Sequence, residues 1–592
     1  MAQSGMLSPA PVSGYQSDDP SAEEALLTGE HVDRKDSGDR IKGTLKRWKN
    51  PIITLWAAIA TIIILVIGVL YVRSHPEGGQ DHMPHKAIRG KRNLIFMVSD
   101  GMGPTSLELT RSWRQFTENL PYDDVLTLDK HFIGSSRTRS SNSLITDSAA
   151  GATAFSCGLK SYNGAISILP GGDPCGTVLE AAKAAGYMTG LVVTTSITDA
   201  TPACFNAHVN MRWEQDRIAE QQIGDYPLGR VTDLMLGGGY CHFLPNSTKG
   251  SCRADNRDLV EEARANNINF IHKLKEFHSL KLGEEVNLPL FGLFASTDIP
   301  FDLDRSDDEY PSLPAMAETA ITALELATKD SDKGYFLMIE GSRIDHAGHA
   351  NDPAAQVREV RAYDRTFEVV LKKIEESSVE TIVVSTSDHE TGGLAAARQL
   401  HEAYPDYLWY PGVLANASRS SEFLSSALIS FKGTDKSDIA AYLEKELFPL
   451  AGITDAGNGE IIKLVHYKIE KMPTGPIWAD MISRRAQIGW STHGHSAVDV
   501  NIYGYPFERV KKLWGNHENT EIGEFLRDYL NVDVDAVTKK LRGTADASWM
   551  GKGLHEILEE TGKSMGVGGA VGEETVSGLN DYQGIHKRAC MH

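Results

Sequence analysis

Carboxylates and imidazoles recur in this sequence at spacings that suit metal binding. Asp345 and His349 lie four positions apart, so a helix over this stretch would place both side chains on one face, where they could share one ion. Asp388 and His389 are adjacent, close behind an apolar run. Mixed Asp and His ligation is typical of catalytic zinc, whereas structural zinc usually takes cysteine. The pattern therefore favours a catalytic zinc site over a zinc finger.

Other candidate ligands stand elsewhere in the chain. His493 and His495 flank a single glycine, and either could complete a zinc site. Asp100, Thr201 and Glu340 offer only oxygen donors, which suit magnesium. A single acidic residue behind a strand is more often a turn or cap residue. The combination of these oxygen donors with the imidazoles is what indicates metal binding.

Ser148, within a run of small residues at 146–154, is the candidate nucleophile. Small neighbours would leave its hydroxyl accessible, and a helix starting there would favour an anion through its free N–H groups and its dipole. A plain helix N-cap at Asp147 or Ser148 explains the segment equally well. No Gly-x-Ser-x-Gly elbow surrounds Ser148, so coordination to zinc is the expected means of activating the hydroxyl.

Four short apolar runs must position these groups. Each is typical of a strand buried on both faces, and acidic residues follow each of them. Helix-like segments at 176–186 and 316–328 lie between the runs, which predicts an α/β fold with a largely parallel central sheet flanked by helices. The carboxyl ends of such strands form one rim, where cations must offset the repulsion between the carboxylates. The runs are 93–99, 191–195, 335–339 and 381–385.

The N-terminal region predicts a membrane anchor. Residues 1–50 have the composition of a disordered tail and end in a basic cluster, whereas 51–72 contains no charged residue. A helix of this length spans about 33 Å, enough for a hydrocarbon core of about 30 Å, and the basic flank leaves 1–50 in the cytosol. Residues 73–91 resemble a linker, and the folded domain is expected over 92–545. A buried core helix and a cleaved signal peptide are alternatives that length and position disfavour.

The cysteines agree with a lumenal or extracellular domain. All six follow residue 72, on the side of the membrane where disulfides persist. Cys241 and Cys252 bracket a loop-like stretch and are the first pairing expected, with Cys157 and Cys175 as the second. Spacing alone leaves the connectivity open.

Two glycosylation sequons, at Asn246 and Asn416, would be exposed in that compartment. In the tail, residues 23–27 resemble an acidic dileucine sorting signal, although an accidental pair of leucines is an equal explanation. The chain has a net charge of −20, from 59 Lys plus Arg against 79 Asp plus Glu. That charge argues against a nucleic-acid binder, whose affinity depends on basic side chains.

Six strings follow one another along about 400 residues of the chain. They are SDGMG (99–103), TDSAAGATA (146–154), DATPA (199–203), EGSRIDHAGH (340–349), SDHETGG (387–393) and THGHSAVDV (492–500). Together, and in this order, they resemble the alkaline phosphatases. One such string would be weak support, but six in register are specific. With the cytosolic tail and the anchor, the chain resembles most the vacuolar members of that family in fungi.

The resemblance implies a role for each matching residue. Ser148 would be the nucleophile that becomes phosphoserine, and Arg212 would clamp the substrate phosphate through its planar fork. His495 fits the family motif through its spacing to Asp499, and His493 is the less suitable ligand. The implied ligands are Asp345, His349 and His495 for one zinc ion, Asp100, Asp388 and His389 for a second, and Asp100, Asp199, Thr201 and Glu340 for one magnesium ion.

The resemblance also implies broad hydrolysis of phosphate monoesters, a homodimer, and a vacuolar membrane location. Residues 400–485 would include a crown-like insertion at the dimer interface, and 546–592 would be a tail open to cleavage. The pairing of Asp199 with His346 varies in the family and leaves the magnesium affinity open. A phosphodiesterase, a sulfatase or a cofactor-independent mutase could share the sheet and the paired metals, although a sulfatase needs a Cys/Ser-x-Pro-x-Arg context that 146–154 lacks. A non-enzymatic anchored binding protein would not need the whole ligand set.

Overall fold

The computed structural model describes Thr61, residues 90–544, residues 546–553 and Glu556. The predicted cytosolic tail, the membrane anchor and nearly all of the linker lie outside these residues, as do the sorting signal and Cys590. Among the described residues, no helix combines the length and the apolar character that a membrane span requires. The anchor at 51–72 therefore stays a prediction.

The described strands form one large sheet and two short ladders. In chain order they are β1 (Arg92–Val98), β2 (Phe132–Arg137), β3 (Met188–Ser196), β4 (Leu234–Gly238), β5 (Asn269–Ile271), β6 (Leu290–Leu293), β7 (Tyr335–Glu340), β8 (Glu380–Thr386), β9 (Glu390–Thr391), β10 (Leu394–Ala395), β11 (Gly489–Trp490), β12 (His495–Ser496), β13 (Val500–Tyr505) and β14 (Gly515–Glu518). The ten-stranded sheet has the order β14-β2-β13-β8-β1-β7-β3-β4-β6-β5, while β9 pairs with β12 and β10 with β11. Its neighbouring strands are parallel except at the two edges of β13. The predicted, largely parallel α/β sheet is confirmed.

The four predicted strands are β8, β1, β7 and β3, which lie side by side in the sheet. In the register of these strands, Val98 is level with both Glu340 and Thr386, so the strands end at the same height. Successive residues of β1 contact opposite cores, with Leu94 on one face and Ile95 on the other. Burial on both faces is the reason that these strands are continuous apolar runs.

Helices cover both faces of the sheet. One core includes Phe155 of α2 and Leu526 of α18, and the other includes Leu107 of α1, Leu324 of α8 and Phe367 of α10. The α-helices are α1 (Pro104–Thr117), α2 (Ser148–Cys157), α3 (Val178–Ala184), α4 (Ala200–Asn206), α5 (Gln215–Gln222), α6 (Leu259–Ala265), α7 (Leu274–Ser279), α8 (Leu313–Ala327), α9 (Arg343–Ala350), α10 (Pro353–Glu376), α11 (Pro411–Asn416), α12 (Ser421–Ser430), α13 (Lys436–Tyr442), α14 (Phe448–Ala451), α15 (Asn458–Ile469), α16 (Gly475–Ala486), α17 (Phe507–Val510), α18 (Asn519–Leu530) and α19 (Val534–Arg542).

Helices α11 to α16 fall almost wholly within the predicted insertion at 400–485, and they pack around a third core. Trp478 is fully buried there, with its ring 5.5 Å from that of Phe448 in an edge-to-face arrangement. The same core includes Leu109 of α1 and Val357 of α10. The insertion is therefore fixed to the helices that cover the sheet.

Among the cysteines that the structure describes, two disulfides are formed, and both of the expected pairings are confirmed. Cys157 bonds to Cys175, which ties the end of α2 to a loop, and Cys241 bonds to Cys252. The Cα atoms of the two pairs are 6.0 Å and 5.0 Å apart, within the range that disulfide geometry allows. Cys204 is buried and stays a thiol.

Helix α18 crosses α2 at a glycine. A Cβ atom on Gly523 would lie 2.5 Å from the carbonyl oxygen of Ala154 and 2.7 Å from that of Phe155. The two backbones meet closely because no side chain separates them. This contact sets the position of α2, whose first residue is Ser148.

We expect Gly523→Ala to lower the free energy of unfolding by about 1–3 kcal/mol, because the added methyl group must push α2 and α18 apart. Chemical denaturation followed by circular dichroism measures this change. Gly459→Ala in α15 is the matched control, since a Cβ there would meet open space. A Gly523→Ala chain as stable as the control would contradict the packing argument.

Candidate active site

The carboxyl ends of the central strands bring the predicted acidic residues to one rim. Asp100 follows β1, Glu340 ends β7, Asp388 follows β8, and Asp199 follows β3 and caps α4. The level register of β1, β7 and β8 places the first three at the same height. A catalytic or ligand site at this edge is what parallel α/β sheets favour.

Asp345, His349 and His495 form one cluster at the rim, and their ligand atoms lie within 4.8 Å of one another. Helix α9 carries the first two, spaced i and i+4, and Nε2 of His349 lies 3.2 Å from Oδ1 of Asp345. Nε2 of His495 lies 3.5 Å from the same oxygen and 3.1 Å from Nε2 of His349. The fold thus brings His495 beside two residues of α9 that lie far from it in the sequence.

The two rings of this cluster hold their protons on the outer nitrogen. Nδ1 of His495 lies 2.8 Å from the carbonyl oxygen of Thr146, and Nδ1 of His349 contacts the carbonyl oxygen of His493. A carbonyl oxygen only accepts hydrogen bonds, so Nδ1 of each ring carries hydrogen, and in the neutral form of each imidazole the lone pair on Nε2 faces the cluster. Inward lone pairs beside a carboxylate are the donor set that a cation requires.

His493 is exposed and takes no place in the cluster. Its Nδ1 lies 2.8 Å from the carbonyl oxygen of His349, while its own carbonyl oxygen accepts from that residue. His493 therefore fixes the orientation of the His349 ring by a hydrogen bond from outside the cluster.

A second cluster contains Asp100, Asp345 and His389, all buried, with ligand atoms within 4.8 Å of one another. Nε2 of His389 lies 3.2 Å from Oδ2 of Asp388 and 3.6 Å from Oδ1 of Asp100. Thr391 donates its hydroxyl proton to Asp345 at 2.6 Å, so its oxygen accepts from Nδ1 of His389 at 3.2 Å. The lone pair of His389 consequently faces the carboxylates.

Two carboxylate oxygens, one in this cluster and one on the adjoining Asp388, have no hydrogen-bond partner in the described part of the chain. They are Oδ1 of Asp100 and Oδ2 of Asp388, and both are buried. A buried charge without a partner is costly, and a cation bound between these oxygens and the ring nitrogen would remove that cost. The residues fit a metal ion.

The pKa shifts of two carboxyl groups at the rim also indicate a cation site. Burial raises the pKa of Asp100 well above its usual value, and the neighbouring Asp388 and Asp345 raise it further. Burial also raises the pKa of Glu340 to about 8, with smaller contributions from Asp199 and Asp388. Without cations, these carboxyl groups resist ionisation because their charges would repel one another in a dry site.

The oxygen donors predicted for magnesium lie where β3 and β7 end. Glu340 accepts a hydrogen bond from the Ser342 hydroxyl at 2.6 Å. Thr201 is buried in the first turn of α4. Asp199 accepts from the amide of Ala200 at 2.7 Å and from Arg212 at 2.8 Å.

Ser148 is the first residue of α2, beside the second cluster. Its Oγ lies 3.1 Å from Nε2 of His389, within hydrogen-bonding distance. Asp147 caps α2 through the amide of Ala150 at 3.0 Å, which sets the orientation of the helix start. The serine hydroxyl therefore sits at a helix N-terminus and against the cluster at once.

Arg212 approaches the same helix start from a loop. Its Nη2 donates to Asp199 at 2.8 Å, and its Nη1 lies 3.4 Å from Oδ2 of Asp147. The same Asp147 oxygen accepts from the amide of Gly164 at 2.9 Å. Asp147 thus links the start of α2 to the loop that carries the arginine.

The structure brings every predicted site residue to this rim or directly behind it. Sequence reasoning did not single out Thr391, which joins His389 to Asp345, and it treated Asp147 only as a possible cap. Thr391 lies in the string 387–393 and Asp147 in the string 146–154, so the motifs that resemble the family already included both residues. Their roles depend on contacts between distant segments.

The sequence matches a family model described as Alkaline phosphatase over residues 91–532. The repressible alkaline phosphatase of Saccharomyces cerevisiae is 52% identical over 506 residues, which cover 82% of this chain and 89% of that protein. An alkaline phosphatase of Schizosaccharomyces pombe is 46% identical over 505 residues, which cover 84% and 90% of the two chains. Among solved structures, the Thermus thermophilus alkaline phosphatase gives a TM-score of 0.64 at 26% identity, and covers 80% of this chain and 99% of its own.

We expect a chelator to lower the melting temperature of the protein, and by more at alkaline than at mildly acidic pH. Burial holds the pKa of Glu340 at about 8 in the metal-free fold, against an ordinary value of 4.5. The folded chain then binds the extra proton between these values, so the free energy of unfolding falls as the pH rises through that window. Calorimetry with and without chelator measures the effect, and added zinc and magnesium should restore the melting temperature. An equal loss at both pH values would contradict this account.

Proposed function

The chain belongs to the alkaline phosphatase family and is a phosphatase, and we propose that it hydrolyses a broad range of phosphate monoesters through a phosphoserine formed on Ser148. The observation that carries the proposal is the position of the Ser148 hydroxyl. It lies at the start of α2, 3.1 Å from Nε2 of His389, which is one of the proposed zinc ligands, and Arg212 lies nearby, held by its bond to Asp199. A nucleophile, a metal site that would lower the pKa of its hydroxyl and a phosphate-binding fork therefore meet at one point.

We propose two zinc ions and one magnesium ion per subunit as the cofactors of this site. The inward lone pairs of His349, His389 and His495 and the unpartnered oxygens of Asp100 and Asp388 support zinc. The magnesium ion would take only oxygen, from Asp100, Asp199, Thr201 and Glu340. Bound there, the cations would supply Lewis-acid stabilisation of phosphoryl oxygens and ease the ionisation of hydroxyl groups.

The chain's own residues then carry the reaction in two displacements. The Ser148 hydroxyl loses its proton and its Oγ atom bonds to phosphorus as the ester bond breaks, and the alcohol leaves with the electron pair and takes up the proton that the serine released. A water molecule attacks the phosphoserine from the opposite face, which releases inorganic phosphate and returns the hydroxyl of Ser148. The helix start holds free N–H groups toward the phosphoryl oxygens through both steps.

Arg212 orients the phosphoryl group. Its guanidinium is planar and stays charged, so two of its N–H groups can meet two phosphoryl oxygens. Asp199 holds one side of the fork at 2.8 Å, whereas the contact to Asp147 is long, at 3.4 Å, and weak. Substrate phosphate can replace that weak contact while the strong one keeps the fork in position.

We expect Ser148→Ala to reduce turnover of a chromogenic phosphate monoester by roughly three orders of magnitude or more, because no other hydroxyl can form the phosphoserine. Ser156→Ala, on the same helix and buried, is the control and should retain its turnover. A phosphate diester and a sulfate ester, assayed in parallel, should be poor substrates of the unaltered chain. Faster diester or sulfate hydrolysis would favour the alternative of a phosphodiesterase or sulfatase on this fold, and full turnover by Ser148→Ala would exclude the phosphoserine.

We propose that the protein is a type II membrane protein, anchored by residues 51–72 in the vacuolar membrane with its catalytic domain in the lumen. The basic flank of the anchor and the two disulfides support this orientation. Both sequon asparagines, Asn246 and Asn416, are exposed and therefore open to glycosylation. We also propose a homodimer through the insertion, where Tyr404 and Tyr407 are 81% and 84% exposed.

Protease added to sealed vacuoles should remove only the N-terminal tail, because the membrane would protect everything after the anchor. A glycosidase that removes N-linked chains should increase the gel mobility of the protein, and Asn246→Gln with Asn416→Gln should abolish that shift. Digestion of the catalytic domain in sealed vacuoles would reverse the proposed orientation.

A further inference from the structure

The chain continues past α19 and returns to the loop that carries Arg212. Residues 546–553 contain a short 3-10 helix, Ser548–Met550, and they lie beyond the stretch that matches the family model. The backbone of Trp549 accepts a hydrogen bond from Gln221 at 2.9 Å. The carbonyl of Lys552 accepts from Asn210 at 2.9 Å, and its amide donates to Glu214 at 3.0 Å.

The loop between α4 and α5 is the part that these contacts hold. Asn210 and Glu214 stand two residues either side of Arg212, so the segment ties down both flanks of the arginine. Gln221 bonds the backbone of His208 through both of its side-chain atoms, at 2.8 and 3.0 Å, as well as Trp549. One glutamine thus joins the loop to the C-terminal segment.

Trp549 also covers a buried pair of polar side chains behind the loop. His208 is fully buried, with Nε2 2.8 Å from Glu180 and Nδ1 3.2 Å from the carbonyl oxygen of Ser167. Both nitrogens of the ring are thus fixed by polar partners. The ring of Trp549 lies 5.7 Å from that of His208, edge to face, and shields the pair from water.

The fit between the segment and the loop leaves no room for another side chain. Gly551 has a φ of +81°, and a Cβ atom there would lie 2.2 Å from a carboxylate oxygen of Glu214. Met550 packs beside Met211 and Tyr162, next to the arginine. Such close packing indicates that the segment binds the loop in one defined position.

We infer that residues 546–553 are a positioning element for Arg212, and that they set the affinity of the active site for phosphate. The inference rests on the proposed function, because it takes Arg212 to bind the phosphoryl group. The residues that bond the backbone of the segment, Asn210, Glu214 and Gln221, are not candidate metal ligands, so loss of the segment should weaken phosphate binding and leave metal binding intact. Cleavage of the tail after residue 556 should cost nothing, whereas cleavage before 546 should impair the enzyme.

The test compares variants of the full chain. A stop after residue 545 and Trp549→Ala should both raise the inhibition constant of inorganic phosphate and the KM, by roughly ten- to a hundredfold. A stop after Glu556 and Trp514→Ala, a tryptophan that is 52% exposed elsewhere, are the matched controls and should change neither. Trp549→Phe should recover most of the phosphate affinity. Bound zinc, measured by metal analysis, should be the same in all of these chains.

A double-mutant cycle separates positioning from general damage to the fold. In an Arg212→Ala chain, Trp549→Ala should add no further loss of phosphate affinity. An equal loss with and without Arg212, or unchanged phosphate affinity in Trp549→Ala beside a weakened Arg212→Ala, would overturn this inference alone. If Arg212→Ala itself left phosphate inhibition unchanged, the proposed role of Arg212 would fall and this inference with it.

Discussion

Repulsion among buried carboxylates is the constraint on which the rest of the structure depends. Parallel strands that end level bring Asp100, Glu340 and Asp388 to one rim, and α9 adds Asp345. Burial and the neighbouring carboxylates raise the pKa of Asp100 and of Glu340, so a cation is needed to keep these two groups ionised. Three imidazole rings face the same rim, and Oδ1 of Asp100 and Oδ2 of Asp388 lack partners within the described residues. The site is therefore shaped for metal ions before any substrate enters.

The same constraint reconciles a chain of net charge −20 with an anionic substrate. The five acidic ligands are outweighed by the proposed zinc and magnesium ions together with Arg212, so the site as a whole becomes positive. The acidity of the sequence partly reflects its role in holding cations. A global charge thus predicts poorly what a single pocket binds, since local geometry decides the sign of the field there.

Distant parts of the chain keep the reacting groups in register. Gly523 lets α18 lie against α2, which carries Ser148, and Asp147 joins that helix to the Arg212 loop. The proposed contribution of residues 546–553 follows the same logic from the other side of the loop. Positioning of this kind matters because phosphoryl transfer depends on alignment and charge stabilisation rather than on covalent chemistry by the protein.

The sequence by itself determined the four central strands, the nucleophile candidate and the metal-ligand candidates, because burial on both faces and spacing along one helix are local signals. It also predicted both disulfide pairings, although spacing could not decide between connectivities. Only the tertiary structure decided how His495 reaches the rim. Strand β13 runs antiparallel to β8 and starts at that edge, and β12, which contains His495, pairs with β9 at Thr391. No local pattern in the sequence reveals either pairing. The sequence alone likewise could not predict the contact of Trp549 with the Arg212 loop. Hundreds of residues separate the two, and they come together only once the sheet has formed.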